Sequence, residues 1–118
     1  MNLDFPNSAE LLQNAQDVLL YNKLVVQIKK DFGLSNIPID LPNDVSPDVL
    51  QTFLHEKIYY LILEKFTDYL NFLYVVDVPE KAFKQIQVTD VVEVAEQVSF
   101  LVLRRELQKV WLKENYAS

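Results

Sequence analysis

With 118 residues, half of them apolar and 24% charged, the chain has the material for one hydrophobic core and is read as a single domain over 1–118. A formal charge of −6 argues against nucleic acid, whose phosphates demand a basic footprint, and against docking on an anionic membrane. The absence of cysteine removes disulfides, thiol chemistry and thiolate metal sites, and one glycine cannot build a phosphate loop.

Met1 to Pro6 places no basic residues ahead of an apolar run, so no secretory leader is expected. The longest apolar run, Ile58 to Leu63, falls far short of the ~20 residues a membrane span needs. A cytoplasmic protein is the expectation. Asn7 or Ser8 can cap a helix, with Glu10 three residues after Asn7 as in a capping box. Leu11, Ala15, Val18, Val25, Ile28 and Phe32 then recur at helical steps, with Leu12, Leu19 and Val26 widening the apolar face. One helix over about 8–32 follows, with Lys29 and Lys30 in its last turn and Gly33 as its left-handed cap.

Residues 34–45 hold two prolines and cannot continue that helix. Alternation of Ile37, Ile39 and Leu41 predicts an extended segment laid over the core, either as packing or as a site. Ser46-Pro47-Asp48 combines a capping hydroxyl, a proline suited to the first helical position and a first-turn acid. The second helix is expected over about 47–75. It is apolar around much of its circumference, which suits a central helix or one that meets another subunit.

Asp77, Pro79 and Glu80 read as a new cap opening a short helix over 80–85, with a short strand at 74–78 as the competing reading. Thr89-Asp90 caps a final helix over about 90–114. The expected architecture is all-α, an up-down bundle of three long helices and one short one.

Chemistry is poorly provided for. His55 is the only histidine, and Tyr59 stands where a zinc-protease helix would place its second. Thr52, three residues before His55, also breaks the Glu-x-x-His pattern of di-iron bundles. Ser46 is a cap, and Ser8, Ser35, Ser99 and Ser118 lack a nucleophile elbow. Glu64 with Asp68, and Glu93 with Glu96, share helix faces, but such spacings are common on solvated helices. No catalytic, cofactor-binding or metal-ligating residue is assigned, and the chain is not read as an enzyme.

Two features point instead to contacts. Arg105, Lys109 and Lys113 fall at four-residue steps near Arg104 and Trp111, while Asp40, Asp44, Asp48 and Glu56 form an acidic stretch upstream. The basic run either binds an anionic partner or an acidic patch on another subunit, or complements its helix C-terminus. Trp111 is either a lid on the core or an anchor. Secondly, Tyr59, Tyr60, Tyr69, Phe72 and Tyr74 cannot all enter one three-helix core, and surplus aromatics suit an interface.

The run Leu73 to Glu80, with Arg104-Arg105-Glu106 to Trp111, resembles small uncharacterised bacterial proteins of similar length. That resemblance implies a bacterial cytoplasmic protein and no particular activity. The expected function is therefore a self-associating interaction module, partnered by a second copy or another protein. A small apolar ligand held by Phe53, Tyr59, Phe66 and Trp111 is the alternative. A carboxylate-dependent enzyme ranks below both.

Overall fold

The computed structural model describes residues 1–116, and every regular element among them is helical. The order is α1 (Ser8–Asp17), α2 (Tyr21–Leu34), α3 (Pro47–Glu64), α4 (Phe66–Val76), α5 (Glu80–Phe83) and α6 (Val91–Tyr116). The all-α class expected from the sequence holds, but three long helices become five. The helix expected over 8–32 breaks at Val18–Leu20, and the one over 47–75 breaks at Lys65, where φ is −141° and ψ is 60°.

Size explains the second break. An unbroken helix over 47–76 would run about 45 Å at 1.5 Å per residue, yet the longest axis of the molecule is 39 Å. A helix that overruns its core exposes apolar side chains, so this stripe is divided and both halves lie against the core. Phe32 of α2 and Phe72 of α4 stack at 4.1 Å between ring centroids, and Phe53 of α3 meets Phe32 edge-on at 6.2 Å. Leu103 and Leu107 bring α6 into the same cluster, with Leu11 and Leu12 from α1.

Caps follow the sequence where short polar side chains are available. Asn7 Oδ1 accepts from the Glu10 amide at 2.9 Å, and Ser46 Oγ accepts from that of Val49 ahead of a first turn holding Pro47 and Asp48. Asp90 Oδ1 accepts from the Glu93 amide at 2.9 Å. The C-termini depart from expectation. Gly33 lies inside α2, and Asn36 takes the left-handed conformation at φ 58°. There the Ile37 amide donates to Phe32 O and the Asn36 amide to Gly33 O, the paired bonds of a Schellman cap.

Leu19 does the same for α1 at φ 62°, with Leu20 N–H to Ala15 O and Leu19 N–H to Gln16 O. Asp77, expected to cap α5, instead ends α4 at φ 68°. Residues 74–76 are the last turn of α4, so the strand alternative at 74–78 falls away. The residue after each left-handed position is apolar and turned inward: Leu20, Ile37 and Val78.

A leucine in the left-handed region costs about 1–2 kcal/mol, and Leu19 is 87% exposed, so no packing offsets it. Leu19→Gly is expected to raise stability by about 0.5–1 kcal/mol, the relief of strain outweighing glycine's greater unfolded-state entropy. Asn36→Gly should gain less, because asparagine tolerates this region. Urea unfolding midpoints of the two variants check the order.

Residues 35–46 pack as an extended cover. Ile37, Leu41 and Val45 are buried and Ile39 is half-buried. Tyr21 Oη donates to Val45 O at 2.6 Å, and Lys29 Nζ to Asn43 Oδ1 at 2.8 Å. Burial pushes the Tyr21 phenol up to about 12, and that of Tyr69 upward as well.

Candidate functional site

The apolar excess of the sequence is divided between core and surface. Phe72 is fully buried and Tyr69 nearly so, which places both in the core rather than on an outward face. Tyr59, Tyr60 and Leu63 on α3, and Phe66, Leu70 and Tyr74 on α4, are exposed, Tyr74 at 84%. Within each helix these residues fall at steps of three and four: Tyr60 and Leu63 on α3, and Phe66, Leu70 and Tyr74 on α4. Phe66 is braced by Tyr69 at 5.4 Å, and Lys57 Nζ stands 5.6 Å from the Tyr60 ring centroid. Lys57 and Lys65 border the stripe together with Glu56, Glu64 and Asp68, so its rim carries both signs.

The basic run of α6 is consumed within the fold. Arg105 donates to the Asp77 carboxylate and to its carbonyl, both at 2.9 Å, and so fastens the end of α4. Lys113 Nζ donates to Gln27 Oε1 at 2.5 Å. Lys23 and Glu114 form an exposed ion pair. Trp111 is half-buried against the core, its ring edge-on to Tyr116 at 6.0 Å.

Lys109 leads to a cluster that sequence reading missed. Its Nζ donates to Asp31 Oδ2 at 2.5 Å and to Val76 O at 3.3 Å. It also lies 2.9 Å from Glu106 Oε1, without hydrogen-bond alignment. Asp31 is 2% exposed and Glu106 0%, and Gln27 Nε2 donates to Asp31 Oδ1 at 3.0 Å. Two carboxyl groups from α2 and α6 thus share one ammonium in the core.

Neither Glu106 oxygen accepts a hydrogen bond among the described residues. An ionised carboxylate so placed would lose its hydration without replacement. Burial, then the neighbouring Asp31 through hydrogen bonding and charge, pushes the Glu106 carboxyl up to about 9, against the opposing pull of Lys109. Protonated, Glu106 becomes a donor and Asp31 its acceptor, leaving a one-to-one Asp31–Lys109 pair. Burial disfavours the Lys109 ammonium, but its hydrogen bond to Asp31 and the nearby carboxyl groups outweigh it and hold its pKa above the usual lysine value.

The signal for this cluster was in the register. Glu106 falls in step with Val102, Leu103, Leu107 and Val110, and Asp31 with Leu24, Ile28 and Phe32, all of them buried. An acid at an apolar position of a helix predicts a buried partner.

The acid pairs singled out from spacing lie at the surface. Glu64 is exposed, and Glu93 accepts from Thr89 Oγ1 at 2.6 Å. His55 Nε2 lies 3.0 Å from Val92 O, which ties α3 to the start of α6. Phe53, Tyr59, Phe66 and Trp111 do not converge on a cavity. Phe53 packs on Phe32, Phe66 stands outside the core, and the five principal cavities are lined by other residues. The first of these, a groove of about 310 Å³, lies between α6, α3, α5 and the segment entering α1.

Among the described residues no group of three or more His, Asp or Glu side chains is placed to hold a metal ion. No helix among them is long and apolar enough to cross a membrane. In comparison with known proteins, the chain matches no protein-family model, no curated protein and no solved structure.

Proposed function

We propose that the protein is a cytoplasmic interaction module without chemistry of its own, and that it pairs with a second copy of itself through the α3–α4 face. The observation that carries this reading is the set of exposed large apolar side chains on two consecutive helices, Tyr60 and Leu63 on α3 with Phe66, Leu70 and Tyr74 on α4. Exposed apolar surface concentrated in this way marks interaction sites. The mixed charges around it favour a second copy as the occupant. A patch that carries both Lys57 and Lys65 and the acids Glu56, Glu64 and Asp68 has the charge content to complement a copy of itself under two-fold symmetry.

The basic residues of α6 play a different part in this reading. Arg105, Lys109 and Lys113 hold the fold together, and the contact surface is aromatic and aliphatic. Light scattering over a concentration series should give twice the 13.8 kDa chain mass. A Tyr60→Glu, Leu70→Glu variant should remain folded and fall to the single-chain mass. Both replaced side chains are exposed, so circular dichroism should be unchanged. A wild-type monomer at every concentration, or a dimer unaffected by the double substitution, would contradict the proposal.

A further inference from the structure

We propose that the groove along α6 binds a short zwitterionic peptide, with the peptide carboxylate on Arg104 and its ammonium on Glu96. This inference is independent of the α3–α4 contact, because the groove uses other residues.

Glu96 and Arg104 both line the groove and lie eight residues apart on α6, about 12 Å of helix rise. That separation keeps them from pairing with each other, and neither forms an ion pair or hydrogen bond among the described residues. By contrast, Arg105, the neighbour of Arg104, is fully engaged with Asp77. Arg104 is held over the Phe100 ring at 5.5 Å, which orders the guanidinium while leaving its donor edge open.

The groove wall matches a peptide backbone. Gln51 from α3 and Gln85 beyond α5 each present a primary amide, which can donate and accept, as alternating backbone N–H and C=O groups require. Pro6, Ala82, Ile86, Phe100 and Leu101 supply the apolar part of the lining. A volume of about 310 Å³ sits at the lower end of small-ligand sites, which span roughly 300–1,000 Å³. An extended tripeptide reaches about 10 Å, comparable with the roughly 12 Å of helix rise that separates Glu96 from Arg104. A simple anion satisfies only Arg104 and a simple amine only Glu96. Opposite charges at opposite ends select a ligand that carries both.

The test is titration of the folded protein with trialanine, N-acetyl-trialanine and trialanine amide, followed by backbone amide NMR. Trialanine should shift resonances around Gln51, Gln85, Phe100 and Arg104 saturably. Blocking either end should weaken binding at least about tenfold, the loss of one desolvated charge pair. Arg104→Gln should abolish the preference for a free carboxylate, and Glu96→Gln the preference for a free ammonium. No saturable shift, or equal binding of the free and blocked peptides, would overturn the proposal. The blocked peptides leave the protein unaltered, so that comparison holds whatever the substitutions do to folding.

Discussion

Lys109→Met is expected to destabilise the protein by about 3–5 kcal/mol at neutral pH, the cost of leaving a buried carboxylate without its counter-charge. The ammonium of Lys109 reaches Asp31 from α6, approaches Glu106 on its own helix, and donates to the Val76 carbonyl at the end of α4. Its side chain is only 16% exposed and that of Asp31 3%, so water cannot take its place. In a domain of this size such a loss lowers the melting temperature by roughly 10–20 °C. Adding Asp31→Asn to Lys109→Met removes the stranded charge and should recover most of the loss. A double-mutant cycle then gives a coupling well above 1 kcal/mol. A loss under about 1 kcal/mol for Lys109→Met alone would mean that the pair behaves as a solvated surface bridge.

Stability is expected to fall as pH rises from mildly acidic to alkaline, and Glu106→Gln should flatten that fall. The folded state holds the Glu106 proton up to about pH 9, whereas the unfolded chain releases it near pH 4.5. Folding between those values therefore takes up a proton. The contribution of this group is fully present below about pH 4.5 and is lost as pH climbs through 9. The slope is at most about 1.4 kcal/mol per pH unit. Glutamine keeps the shape and a donor for Asp31 without an ionisable proton. At pH 8 Glu106→Gln should be more stable than the native chain by about 1–4 kcal/mol, with little gain at pH 4.5. Denaturant midpoints measured across pH 5–9 decide it. An undiminished slope in Glu106→Gln would place the proton elsewhere.

The class of fold was legible because helical periodicity and caps are local. Asn7, Ser46 with Pro47, and Asp90 mark helix starts that the structure keeps. The breaks were less legible because neither carries a local signal. Leu19 and Lys65 carry no glycine or proline signal, and only the stripe divided at Lys65 is longer than the molecule. Gly33 misled for a related reason. The position that turns left-handed is chosen by where an apolar residue must re-enter the core, here Ile37, and that selects Asn36.

The candidate surfaces were legible in part. The aromatic surplus of residues 59–74 was visible, but its division was not, since Phe72 enters the core and Tyr74 leaves it only once α4 is set against α2. The basic run of α6 was visible, but its partners lie 28 to 86 residues away in the chain. Asp31 and Glu106 were readable as acids in apolar register, although only the packing of α2 on α6 reveals that they face each other.

The most direct test of the proposed function is a dilution series of amide NMR spectra on the unmodified chain. Concentration-dependent shifts should cluster between Tyr59 and Tyr74 and run toward one dimeric end state. Spectra that do not change with concentration, or changes centred on α1, α2 or α6, would contradict pairing through the α3–α4 face.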